Sequence, residues 1–179
     1  MEITAQQVKA LRDATGAGVL DCRKALQEHG GDFDQAVAYL REKGLAAAAS
    51  KTARQAREGV IELYAHGGRV GVMVEVNCET DFVARTEQFR TLAHDLALQI
   101  AAASPRYLDV GDVPAEVLES EKSASGPTDK FYQDACLLQQ PFVKDESVVV
   151  ADLIKQTIAA VGENVVVRRF ARWELGEAA

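Results

Sequence analysis

Residues 77–85 read Asn-Cys-Glu-Thr-Asp-Phe-Val-Ala-Arg, and they crowd two acids and a ring onto one junction. The segment follows a run that reads as a strand and precedes one that reads as a helix. Asp81, or Thr80 one residue earlier, is of the type that caps a helix by accepting a hydrogen bond from a backbone N–H of the first turn. Phe82 stands seven residues before Phe89 and fourteen before Leu96, so helical spacing alone sets it on the buried stripe. The position permits a second chemistry. Side chains at a strand-to-helix junction project from the edge of a domain. A rigid Phe there can act as a wedge, and a carboxylate beside it can repel phosphate or compete for groups around Mg2+. Spacing leaves both readings open.

Other chemistries lack their residues. No G-x-x-x-x-G-K-[ST] loop occurs, so no phosphate cradle of that kind is expected. The glycines of Thr15-Gly16-Ala17-Gly18 end a helix rather than a strand, which suits a helix-to-helix turn better than a dinucleotide site. His29, His66 and His94 are scattered, and neither H-x-x-x-H nor C-x-x-C is present, so no metal site and no cofactor are expected. There is no G-x-S-x-G elbow, and no Cys has a His base nearby in sequence. The inventory favours a binding protein over an enzyme. Cys22, Cys78 and Cys136 are odd in number and far apart, which implies reduced thiols in a cytoplasmic setting.

The elements that must position the junction follow from period and punctuation. Thr4, with Gln7 three residues later, is a capping-box pattern, and Ile3, Val8 and Leu11 recur at helical spacing. After the glycines, Val19, Cys22 and Leu26 fall on one side of a second helix. Asp32 and Gln35 open a third, and Gly44 reads as its terminating glycine. Residues 1–45 are thus expected to form a compact three-helix domain. The Ala-rich, basic run over 46–57 reads as a linker helix. A core domain over 58–179 begins with two β-rich runs joined by His66-Gly67-Gly68, a hairpin signature. A helix is expected over 82–103 with Phe89, Leu92, Leu96 and Ile100 as its stripe, and a short one over 114–122. Residues 123–129 are turn-rich. A helix around 130–138 and an extended stretch around 139–145 follow. Ser147 reads as the cap of another helix, with Val148–Val150 competing as strand. Residues 163–175 alternate and read as a strand that joins the hairpin. The fold class is α+β: about three antiparallel strands covered by helices, behind an N-terminal three-helix domain.

Charge narrows the partner. Residues 1–57 hold nine Lys and Arg against seven Asp and Glu, and residues 58–179 hold eleven against twenty. An acidic body argues against nucleic acid as the main partner. No apolar run approaches the ~18 residues of a membrane span, and the first residues have no apolar signal segment.

Several blocks together resemble the bacterial elongation factor Ts family: residues 11–28, 71–85, 137–145 and 162–177. The resemblance covers nearly the whole chain. It implies a guanine-nucleotide exchange factor for the GTPase elongation factor Tu, with an N-terminal domain of ubiquitin-associated type that packs on the GTPase. The residues matching that contact surface are Arg12, Val19 and Leu20. Members often carry methionine at the latter two positions, and Val and Leu keep the apolar character without the flexibility. Helix packing inside the domain is the alternative for these two, and one of them is expected to pack inward. Thr80, Asp81, Phe82 and Val83 match the family's T-D-F-V motif, which disturbs Mg2+ and phosphate binding in the partner. On that basis Asp81 and Phe82 face the partner, and Thr80 and Val83 support them. Members usually have a longer helical insertion where this chain bridges residues 120–130 briefly. A single core unit implies a homodimer, with the strand over 163–175 as the candidate interface because an open apolar edge invites pairing. Two rival readings are an adaptor acting through residues 1–45 alone and an RNA-binding protein acting through the basic run Arg41–Arg57. The latter run lacks interleaved aromatics for base stacking.

Overall fold

Thr4 opens the first helix, α1 (Ala5–Thr15), by a reciprocal cap. Its hydroxyl accepts from the Gln7 N–H at 3.3 Å, and the Gln7 side chain accepts from the Thr4 N–H at 3.0 Å. Gly16, at φ 67°, closes the helix in the left-handed region, where a side chain would be strained. Helix α2 (Val19–Glu28) follows from Gly18, and α3 (Phe33–Ala49) is capped by Asp32, which accepts from the Gln35 N–H at 2.9 Å. Val8, Leu11, Cys22, Ala25, Leu26, Ala36 and Leu40 close the core between them.

Gly44 does not end α3, as its residue type implied. A glycine inside a helix costs only about 1 kcal/mol relative to alanine, and the alanines that follow are the best helix formers. The glycine answers a packing need instead: a Cβ at residue 44 would lie 3.1 Å from the Cβ of Ala159. The separate linker helix over 46–57 is accordingly absent. Residues 46–49 extend α3, and 50–54 form turns in which Ser50 and Thr52 donate to the carbonyls of Ala47 and Ala49.

This computed structural model describes residues 3–125 and 128–177, and the chain divides into two units. The first holds the three helices up to Arg54 together with Lys155–Asn164. Asn164 ties that segment in by donating to the carbonyls of Thr52 and Arg54 at 3.2 and 2.8 Å. The second holds Gln55–Ile154 and the chain from Val165 onward.

In the second unit β1 (Glu58–His66) and β2 (Val70–Cys78) form the expected hairpin. Gly67 and Gly68 both have positive φ, as a tight hairpin turn requires. After α4 (Asp81–Ala84) and α5 (Glu87–Ala103) come α6 (Ala115–Ser125) and α7 (Thr128–Ala135). The expected turn-rich stretch is shorter than its composition implied. Residues 123–125 close α6, Thr128 opens α7, and Gly126 and Pro127 lie outside the described residues. Strands β3 (Pro141–Phe142) and β4 (Asp145–Val149) pair as a small second sheet. Ser147 lies in β4 and does not cap α8 (Val150–Val161), because its hydroxyl and its N–H both donate to the Asp145 carboxylate. Finally β5 (Val165–Glu174) pairs with β2, giving an antiparallel sheet of order β1-β2-β5. The fold is the expected α+β arrangement.

The alternation of β2 explains its burial. Val72, Val74 and Val76 are buried on the face that α5 covers through Phe89, Leu92, Leu96 and Ile100. The opposite face carries Ile61, Leu63, Met73 and Trp173, all exposed.

Candidate functional site

The junction after β2 is built by two threonines in series. Thr80, in extended conformation, caps α4 by accepting from the Val83 N–H at 3.4 Å. Only one turn later Thr86 caps α5 by accepting from the Phe89 N–H at 3.3 Å, while its own hydroxyl donates to the Val83 carbonyl at 2.8 Å. The continuous helix expected over 82–103 is therefore two helices with a break at Arg85–Thr86. That break decides the position of Phe82. The seven-residue spacing to Phe89 buries Phe82 only if the helix is continuous. Because it restarts at Thr86, Phe89 is fully buried while Phe82 is 77% exposed.

Asp81, the first residue of α4, is not the cap. Its carboxylate takes the Arg85 guanidinium at 2.8 Å across one turn. Ala84 is buried and anchors the turn, and Val83 is half-buried beneath it. The Cys78 thiol donates to the Thr80 carbonyl at 3.1 Å, which fixes the chain as it leaves the sheet. The four motif residues thus divide by placement: Asp81 and Phe82 lie outward, and Thr80 and Val83 hold the frame.

In the first unit, Arg12 and Val19 line a common groove of about 470 Å3, with Ile3 and Val8 as its floor and Lys9 and Arg23 at its rim. Leu20 is 81% and Val19 54% exposed, so neither packs inward, contrary to expectation. Helix α2 starts at Val19, and its inward positions are taken by Cys22, Ala25 and Leu26. The first two residues of the helix are left outside the three-helix contact.

The family model described as Elongation factor TS matches residues 3–128 and 121–177. The chain belongs to the elongation factor Ts family. It is 53% identical over 196 residues to the elongation factor Ts of Desulfitobacterium hafniense, covering 98% of this chain and 90% of that protein. It is 51% identical over 197 residues to that of Coprothermobacter proteolyticus, covering 99% of this chain and all of the relative. With the elongation factor Ts of Geotalea uraniireducens the identity is 52%, over 99% and 91% of the two chains. The chain is therefore a translation elongation factor by family. These alignments are longer than the chain, whose length is 179 residues, so the relatives carry inserted residues. The two family-model matches meet at residues 121–128, where the short bridge between α6 and α7 lies.

Sequence reasoning missed two features of the sheet. The first is its open apolar face, signalled by Ile61-Glu62-Leu63-Tyr64, which has large side chains on both alternations. The second is a bulge between β2 and β5 at Glu75–Val76, signalled only by the adjacent Arg168 and Arg169. His94, unassigned from sequence, pairs with Glu62 at 3.1 Å and meets the Tyr64 ring edge-on. Among the described residues no three His, Cys, Asp or Glu side chains gather as a metal site, and no helix is long and apolar enough to cross a membrane.

Proposed function

We propose that the chain is a guanine-nucleotide exchange factor that binds elongation factor Tu in the cytoplasm and promotes GDP release by disturbing its Mg2+ and phosphate site. The observation that carries the reading is the exposure of Phe82, 77% open to solvent on a turn capped at both ends. A ring carried on an already ordered turn adds little backbone ordering cost when it enters a partner. Asp81 stands beside it, with a charge that opposes phosphate and competes for the surroundings of a cation.

The mechanism is linkage rather than bond chemistry. A factor that binds empty Tu more tightly than loaded Tu weakens nucleotide by the same ratio. Each tenfold weakening requires about 1.4 kcal/mol of differential contact. Displacing a Mg2+, the largest local charge in such a site, can supply several such steps. No covalent step is involved, so the protein is not an enzyme in the bond-making sense. The groove at Arg12 and Val19, with Leu20 beside it, is the proposed first-unit contact. Its apolar floor and cationic rim suit an amphipathic, acidic helix. A second copy of the chain is the proposed partner for the open sheet face, and no direct contact with nucleic acid is proposed.

The test is release of fluorescent GDP from elongation factor Tu. The wild type is expected to accelerate it. Phe82→Ala and Asp81→Ala are each expected to lose at least about tenfold of that acceleration, a loss of ~1.4 kcal/mol. Unchanged release with the wild type would discard the reading.

A further inference from the structure

At the end of the sheet remote from the hairpin turn lies a polar pocket of about 540 Å3, lined by Gln55, Arg57, Glu75, Asn77 and Arg168 among others. Its charge comes from the bulge. Glu75 pairs with Arg169 and Val76 pairs with Val167, so Arg168 is the extra residue of β5. A bulge of this kind re-aims a side chain and commonly marks a functional edge. Here Arg168 and Arg169 are consecutive and both exposed, against the one carboxylate of Glu75. Arg169 takes that carboxylate at 2.8 Å, and its hydrogen bond holds the Glu75 carboxyl below the ordinary range. Glu75 is thus an ionised carboxylate already paired with Arg169. Neither Arg168 nor Arg57 forms an ion pair within 4.0 Å among the described residues, although the charge of Arg168 also acts on Glu75.

The backbone around the pocket is fixed. Asn77 is buried and donates to the Glu58 carbonyl at 3.2 Å. Gly59 sits at φ 147°, and a Cβ there would lie 2.1 Å from the Val76 carbonyl oxygen, so β1 runs against β2 with no room for a side chain. Arg57, two residues earlier, leaves this rigid edge.

We propose that this pocket is a phosphate-binding site. Two guanidinium groups outside any close ion pair offer paired donors whose fork matches a phosphate, and a dianion with several oxygens can engage both. Gln55 adds an amide group, and no aromatic side chain lines the pocket, so the recognised group is the phosphate and not a base. The volume exceeds that of a lone ion and admits the phosphate end of a larger polar molecule. The apolar part of the same face lies towards the hairpin turn. Leu63 is six residues along β1 from Arg57, or about 20 Å at ~3.3 Å per residue. Arg57 thus lies well away from Leu63 and Trp173, although Ile61, opposite Glu75, brings the apolar patch to the rim of the pocket.

The test is a titration of the full, 15N-labelled chain with inorganic phosphate at constant ionic strength, with GMP in a parallel arm. Saturable shifts are expected at residues 55–57, 77 and 167–169. Arg57→Gln with Arg168→Gln should weaken binding at least tenfold, and Arg168→Lys, which keeps the charge but not the fork, should weaken it several-fold with the spectrum otherwise intact. Equal affinity for phosphate and GMP assigns the site to free phosphate chemistry; tenfold tighter binding of GMP assigns it to phosphate borne by a nucleotide. No saturable shift at these residues, or an affinity that survives the double substitution, overturns the proposal. Should the double variant unfold, an undiminished affinity in Arg168→Lys overturns it equally.

Discussion

Asp81 and Phe82 differ in what each gives up when a partner arrives. Phe82 gives up only water. Asp81 must release Arg85, or bring it along, and an exposed pair of this kind is worth about 0–1 kcal/mol. Arg85→Gln should therefore free the carboxylate and raise exchange by up to about fivefold, the equivalent of that energy. GDP-release rates at matched concentrations check this, and a large loss would show that Arg85 itself acts on the partner. At the same scale the buried thiols make a pH statement. Burial raises Cys22 and Cys136 above the ordinary thiol value of 9.0. A folded pKa above the unfolded one means the contribution is complete below pH 9 and is lost as pH rises through the folded value. The urea midpoint should thus fall between pH 8 and pH 10 more steeply in the wild type than in Cys22→Ala with Cys136→Ala. Parallel slopes would show that the thiols carry none of the effect. The residue types of the site were readable, but Phe82's exposure was not readable from spacing, and only the family resemblance set it outward. Its spacing to Phe89 matched a buried stripe, and only the hydroxyl of Thr86, which restarts the helix, overrides that spacing. Asp81 and Thr80 were both possible caps by type; the geometry chose Thr80.

The same restart makes α4 an element in its own right, one turn held by a threonine at each end. Thr86→Ala removes the cap of α5 and the tie from its hydroxyl to the Val83 carbonyl. A lost cap costs about 1 kcal/mol, so a modest fall in the urea midpoint is expected. The more telling readout is exchange. If α4 works because it is rigid, Thr86→Ala should lose several-fold in GDP release although no atom of residue 86 needs to touch the partner. Exchange equal to wild type, with the midpoint lowered, would show that only the tip residues matter. At this scale the helices and hairpin were largely legible, because capping residues and period-2 alternation are local signals. The failures share one cause. Gly44 carries the local sign of a helix end, yet it serves a contact with Ala159, a residue more than a hundred positions away. Ser147 carries the local sign of a cap, yet its hydroxyl is taken by Asp145 in a hairpin that the sequence did not announce. Local signals name what a residue can do, and distant packing selects among those uses.

For the molecule as a whole, the open sheet face poses the remaining question of assembly. Leaving a large apolar side chain in water forgoes about 1.5–3 kcal/mol, and contiguous exposed apolar area commonly marks an interaction surface. Leu63 is 64% and Trp173 62% exposed, and Ile61 and Met73 share their face. Register explains the contiguity: Leu63 lies opposite Met73, Met73 opposite Ala171, and Trp173 opposite Gly71. The patch therefore crosses all three strands. This modifies the expectation that the interface is the β5 edge, since the face contributes more apolar side chains than the edge does. A face-to-face pair is the assembly we predict, and it would bury Trp173 in a second copy. Sedimentation should then give twice the 19.3 kDa chain mass at micromolar concentration. Leu63→Glu should shift the species to monomer while leaving the helical circular dichroism unchanged, because residue 63 faces away from α5. Indole emission should move to longer wavelength with the same substitution as Trp173 becomes solvated. A wild-type monomer at these concentrations would contradict the pairing. A dimer that survives Leu63→Glu would return the interface to the β5 edge, where backbone pairing does not depend on what the face displays.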